Sequence, residues 1–129
     1  MSATPSTEAV VDHHAEYFEN YLPTLIGKRL VEGLEGLDCC FEIVITSAED
    51  IGWQLVIEDG CLAHVGRQGG MPACRFRVGE DAFRDVMAGD VTPADAFLDL
   101  QVEIEGDMET GLRLSMVLEP FFQRYPYRF

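Results

Sequence analysis

Apolar positions along the chain change their period several times, and each change marks an element. From Val10 to Leu37 the apolar residues Val10, Tyr17, Phe18, Tyr21, Leu22, Leu25, Ile26, Leu30 and Leu34 fall, with His14, on one stripe at helical spacing. Pro23 interrupts the stripe, because proline lacks a backbone donor and crowds the preceding turn. The spacing therefore predicts two helices, or one kinked at Tyr21-Leu22, ended by Gly33 and Gly36. The period then drops to two. Cys39, Phe41, Ile43 and Ile45 alternate with Cys40, Glu42, Val44 and Thr46, and Ile51, Trp53, Leu55 and Ile57 alternate with Gly52, Gln54, Val56 and Glu58. Both runs read as strands with one apolar face. Asp59-Gly60 joins the second to a third strand, Cys61 to Val65, since both central residues of a type I′ turn need positive φ.

Glycines and Pro72 make Gly66 to Pro72 a loop, and a fourth strand, Ala73 to Val78, follows with Cys74, Phe76 and Val78 inward. A short apolar helix from Asp81 to Ala88 is stopped by Gly89, and Thr92-Pro93 caps a second one. Val102 and Ile104 alternate with Glu103 and Glu105 in a fifth strand ended by Gly106-Asp107. If the fourth and fifth strands are neighbours, Arg75 and Arg77 meet Glu103 and Glu105 across them. Asp107 caps a final helix in which Met108, Leu112, Met116 and Val117 recur at helical spacing, with Pro120 weakening its last turn. Assembled, the elements predict an α+β fold: a five-stranded, mostly antiparallel sheet with one wet face. Its other face is covered by N-terminal helices, two short central helices and a C-terminal helix.

Length and charge narrow the function. A chain of 129 residues, 47% hydrophobic, fits one domain spanning 1–129 with a real core and a frayed first eight residues. Nine Lys and Arg against 23 Asp and Glu give a net charge of −14, which repels phosphate backbones and anionic lipid. Nucleic acid is excluded as a partner, and membrane contact is at most transient. No apolar run reaches the ~20 residues of a transmembrane helix and the start lacks a signal peptide pattern, so a cytoplasmic location is expected.

Candidate chemistry is thin. His13 and His14 point about 100° apart on a helix and cannot easily share a metal. His64 falls on the polar side of a strand, and Ser47 and Ser115 lack a nucleophile-elbow pattern. Gly66, Gly69 and Gly70 are too closely spaced for a dinucleotide loop. Cys39, Cys40, Cys61 and Cys74 follow no metal-ligand spacing and read as buried free thiols. Asp107 reads as a helix cap. The expectation is a protein with no catalytic residue, no metal and no cofactor.

The run Gly89, Pro93, Ala96, Phe97, then Val102-Glu103-Ile104-Glu105-Gly106-Asp107 resembles the signature of sterol carrier protein type 2 domains, with a weaker likeness back through Phe83, Asp59-Gly60 and Trp53. Leu100 stands where that family often has glycine, and Glu103 and Glu105 where it often has lysine. The resemblance implies the same architecture and an apolar tunnel between sheet and helices for sterols, fatty acyl chains or similar lipids. It would be lined by Phe83, Val86, Met87, Phe97, Val102, Ile104, Leu112, Met116, Phe121 and Phe122. The final helix would be the gate, and Tyr125 to Phe129 would plug the tunnel or touch a membrane interface. The leading expectation is thus a soluble carrier of apolar molecules, of the stand-alone bacterial type. Against it stands a non-catalytic interaction or accessory module with a filled core, as in isoprenoid quinone biosynthesis, with a protein partner or homodimer. An enzyme acting on lipid-like thioesters ranks last, for want of an activated acid or nucleophile.

Overall fold

The computed structural model describes residues 15–30, 37–46, 51–67 and 71–127. Five strands form one sheet: β1 (Cys39–Ile45), β2 (Ile51–Glu58), β3 (Cys61–Gly66), β4 (Cys74–Val78) and β5 (Val102–Gly106), in the order β3-β2-β1-β4-β5. A tight turn joins β2 to β3. Asp59 and Gly60 have φ of 53° and 76°, as a type I′ turn requires, and the Asp59 amide donates to Asp38 Oδ1 at 2.8 Å. β1 pairs antiparallel with β2 and parallel with β4, and β4 pairs antiparallel with β5, so the sheet is mixed. The β1–β4 pair joins strands that are distant in sequence.

Alternation places Phe41, Ile43, Ile45, Trp53, Leu55, Ile57, Cys74, Phe76, Val78 and Ile104 on the covered face, all buried. On the other face Arg75 lies opposite Glu105 and Arg77 opposite Glu103, as expected. Only Arg77 turns to those acids, at 3.9 Å from Glu103 and 3.7 Å from Glu105. Arg75 instead pairs with Glu42 of β1 at 2.7 Å. The Glu42 carboxylate reaches over Gly52, whose missing side chain leaves room for it.

Helices cover the apolar face. A π-helical turn, Tyr17–Tyr21, runs into a 3-10 turn, Leu22–Leu25, with the change at Tyr21-Leu22 where Pro23 upsets the regular ladder. The long helical stripe expected to Leu37 is corrected here. Gly27 takes φ 95° and the chain leaves the helix. It then runs beside β3: Arg29 bridges Cys61, Leu62 donates to Lys28 O at 2.9 Å and Leu30 to Gly60 O at 2.8 Å. The exposed edge of β3 supplies those partners, so Leu30 is buried by a strand and not by a helix. Val10, His13, His14, Gly33, Leu34 and Gly36 lie outside the described residues, as do Ser47, Gly69 and Gly70.

Helix α1 spans Glu80–Met87 and stops before Gly89, which has φ 83°. Helix α2, Pro93–Leu98, is capped by Thr92 Oγ1, which accepts from the Asp95 amide at 3.0 Å. Helix α3, Met108–Val117, is capped by Asp107, whose carboxylate accepts from the Thr110 amide at 3.3 Å. The expected single terminal helix is in fact two. The chain breaks at Leu118, and Pro120 sits in the first turn of α4, Glu119–Arg124, where its missing donor costs nothing. Proline begins a helix here; it does not fray one.

An aromatic cluster ties the N-terminal turns to the sheet. Phe18 stacks on Trp53 with centroids 5.0 Å apart and on Phe83 at 5.6 Å, while Tyr17 meets Phe83 edge-on at 5.8 Å. Such pairs add about 0.5–1.5 kcal/mol each beyond the area they bury.

Candidate functional site

Between sheet and helices lies an apolar cavity of about 50 Å³. Its floor is Phe41 and Ile43 of β1, Phe76 and Val78 of β4, and Val102 and Ile104 of β5. Its roof is Phe83, Val86 and Met87 of α1, Pro93 and Phe97 of α2, then Ser115, Leu118 and Phe122. The wall is apolar throughout, because the hydroxyl of Ser115 turns away and donates to Leu112 O at 2.7 Å.

Of the residues read from the sequence as tunnel lining, Phe83, Val86, Met87, Phe97, Val102, Ile104 and Phe122 meet around this cavity. Leu112, Met116 and Phe121 do not. Met108, Leu112 and Met116 form the outer face of α3, 47%, 40% and 62% exposed, while Gly111, Leu114, Ser115 and Leu118 turn inward. Gly111 explains the rotation: a side chain there would overlap Ile104, so its absence lets α3 lie close on β5. Close approach outweighed hydropathy. Phe121 is buried, but against Phe122 at 5.7 Å and Tyr125 at 5.2 Å, outside the cavity wall. From the sheet the sequence reading took only Val102 and Ile104 of β5, and so missed Phe41, Ile43, Phe76 and Val78. Their signal was the period-two alternation that already placed them inward.

Tyr125 to Tyr127 are not part of the cavity wall, and Arg128 and Phe129 lie outside the described residues. Tyr127 donates its amide to Met87 O at 2.8 Å, and Gln123 Nε2 donates to Gly89 O at 3.1 Å. The Tyr127 ring packs on Tyr21 at 4.8 Å and Tyr17 at 5.1 Å. This clasp holds α4 over the end of α1, so Tyr125 to Tyr127 do not plug the cavity.

Titratable groups offer no activated nucleophile among the described residues. Burial pushes the Cys74 thiol up to about 11, with Cys39, Asp107 and Cys40 adding to the effect. Burial also raises Cys39 and Cys40. Thiols so shifted stay protonated near neutrality and are poor nucleophiles. Cys74 is buried, while Cys39, Cys40 and Cys61 are half-buried, and all four are free. Asp107 is held below the usual carboxylate range by the Thr110 side chain and amide, which suits a cap. His64 is exposed on β3. No group of His, Cys, Asp and Glu among the described residues is arranged to hold a metal. No described helix is long and apolar enough to cross a membrane.

Five mixed strands roofed by helices around an apolar cavity make an α+β fold of one sheet and one helical layer. The chain belongs to the SCP-2 sterol transfer family, whose model matches residues 22–119. Among solved structures, palmitated sterol carrier protein 2 like 2 from Aedes aegypti is similar at a TM-score of 0.62 and 18% identity, over 80% of this chain and 92% of that one. A double mutant of the sec-alkyl sulfatase PisA1 is similar at a TM-score of 0.57 and 15% identity; 77% of this chain matches, but it spans only 16% of the sulfatase. A UbiJ ubiquinone synthesis protein is similar at a TM-score of 0.50 and 15% identity, over 92% of this chain and 97% of that one. A sequence search of curated proteins found no match. At such identities the likenesses establish the fold.

Proposed function

We propose that the protein is a non-catalytic binder and carrier of an apolar molecule, a fatty acyl, isoprenoid or sterol-like lipid, working in the cytoplasm. The observation that carries this reading is the wholly apolar cavity between sheet and helices. The palmitated Aedes aegypti relative supports an acyl chain as one ligand of this fold. Removing a lipid tail from water yields about 25 cal/mol per Å² of apolar surface, so binding is largely non-directional and specificity is set by cavity shape.

A cavity of about 50 Å³ is smaller than the roughly 150 Å³ of an engineered cavity that admits benzene, so on this reading the cavity enlarges to take a lipid. On this reading the roof lifts, with α3 and α4 and the tail clasp as the part that moves aside. Native mass spectrometry of protein taken from cells, followed by organic extraction, tests the carrier reading. Stoichiometric co-purified lipid is expected. Protein that is empty and also ignores fluorescent fatty acids would overturn it.

The small volume favours one second reading, an accessory module with a filled core that acts through a protein partner. A UbiJ ubiquinone synthesis protein shares this fold, which supports placing such a module in quinone biosynthesis. An empty protein in the same experiment would support it.

A further inference from the structure

Exposed apolar side chains are concentrated in one part of the molecule. Seven large ones are exposed among the described residues, and five of them, Leu98, Leu100, Met108, Leu112 and Met116, fall between the end of α2 and the end of α3. The fold gathers them along one seam. Helix α2 packs against both α1 and α3. Ala96 lines a depression with Asp81 and Ala82 of α1, so that flank of α2 meets α1. Two residues on, a helix has turned by about 200°, which aims Leu98 toward α3. On α3, Ser115 shares the cavity wall with Phe97 of α2; Leu112 and Met108, three and seven residues before it, lie along the same flank, with Met116 further out. Leu98 and Leu100 are 73% and 89% exposed, and Leu100 holds its left-handed backbone without burying anything. A cluster of this kind marks a contact surface, and strain with no return inside the fold points the same way.

Charge says what covers it. Asp95, Asp99, Asp107 and Glu109 stand exposed among these residues. No lysine or arginine occurs from Asp85 to Leu112, and Arg113 is held 3.6 Å from Glu109. A second copy would set these acids against their own kind, on protomers that each carry −14. Apolar faces that rest on a membrane are flanked by lysine and arginine, the reverse of this pattern. A helix with an apolar stripe and basic flanks matches both parts of the surface. We infer that the seam between α2 and α3 docks a cationic amphipathic helix of a partner protein. Its apolar stripe rests on Leu98, Leu100, Leu112 and Met116, and its lysines or arginines face Asp95 and Asp99. The flexible thioethers of Met108 and Met116 let the surface adapt to such a helix. This goes beyond both readings above, since it needs the cavity neither open nor filled, and it gives the accessory reading the chemistry of its partner.

The probe is a fluorescein-labelled peptide of leucine and lysine in helical period, compared with a scrambled peptide of the same composition. Each is titrated with the full chain and followed by anisotropy in about 150 mM NaCl, where purely electrostatic attraction is screened. The patterned peptide is expected to bind about tenfold more tightly than the scrambled one. Leu98→Ser/Met116→Ser changes two exposed side chains and should weaken it about tenfold, and Asp95→Asn/Asp99→Asn severalfold. Leu100→Gly, at a backbone that favours glycine, keeps the fold and should also weaken it severalfold. Ile26→Thr, exposed beside β3 at the opposite edge of the sheet, should leave it unchanged. Equal binding of the scrambled peptide, or indifference to the Leu98/Met116 and Leu100 changes, overturns the inference. So does self-association in sedimentation, or binding to phosphatidylcholine vesicles, that Leu98→Ser/Met116→Ser abolishes, for the seam then belongs to a second copy or to a lipid surface. None of these outcomes alters the result of the lipid extraction, so the carrier reading stands or falls separately.

Discussion

Leu100 holds a left-handed backbone, φ 62°, with its side chain almost fully in water. That conformation costs an L-residue about 1–2 kcal/mol and the exposed side chain returns nothing visible, so Leu100→Gly is expected to stabilise by about 0.5–1 kcal/mol. A raised thermal midpoint checks it; a lowered one shows that the leucine contributes to the fold. Gly111 is the converse case, a small residue that the packing requires. Gly111→Val should destabilise by about 1–3 kcal/mol, and adding Ile104→Ala should return part of the loss if the clash is with Ile104. Cys74 gives a pH signature. Its thiol titrates higher in the fold than in the unfolded chain, so the folded state binds that proton more tightly and stability falls as pH rises from about 9 to 11. Burial of Tyr17 steepens the upper end of that window. Denaturant midpoints across this range should decline, less so in Cys74→Ala than in the parent. At this scale caps and turns were legible: Asp59-Gly60, Thr92, Gly106 and Asp107 each carry their conformation in their own chemistry. The facing of α3 was not, because Met and Leu advertise burial by hydropathy, whereas Gly111 and Ser115 earn it by being small.

Elements fared according to how local their cause is. Alternation and tight turns made β1, β2 and β3 readable, and Thr92-Pro93 made α2 readable. The parallel pairing of β1 with β4 has no turn to announce it. The misread N-terminal stripe has a similar origin, since Leu30 meets the same demand for burial whether it sits on a helix or beside an edge strand. Splitting the terminal helix changes what a truncation would do. Removing Phe121 to Phe129 would take away Phe121 and Phe122, 1% and 5% exposed, and should unfold the protein, so it cannot test a gate. Ending the chain at Arg124 keeps both phenylalanines and deletes the Tyr127 clasp. That truncation is expected to speed dissociation of a bound fluorescent lipid severalfold while lowering the thermal midpoint only slightly. Stopped-flow dilution measures the rate, and an unchanged rate would remove the clasp from the exchange pathway.

At the scale of the whole molecule, a charge of −14 on 129 residues places the compact state under mutual repulsion. Raising NaCl from about 10 mM to about 500 mM shortens the screening length from about 30 Å to under 5 Å and should raise the thermal midpoint; a flat response would mean that the acids are already neutralised pairwise. The family match covers residues 22–119, so Phe122 and the Tyr127 clasp lie beyond it. The floor of the cavity spans β1, β4 and β5, and within it the pairing of β1 with β4 is long-range and parallel. During folding the hairpins β1-β2 and β2-β3 close over short loops, but the floor does not exist until the chain has traversed both and brought Phe76 and Val78 beside Phe41 and Ile43. Long-range closure of this kind is the slow part of assembly. A lipid therefore has nothing to bind in the early chain: it should slow unfolding and leave the refolding rate alone, acting as a lock on the finished protein and never as a template for making it.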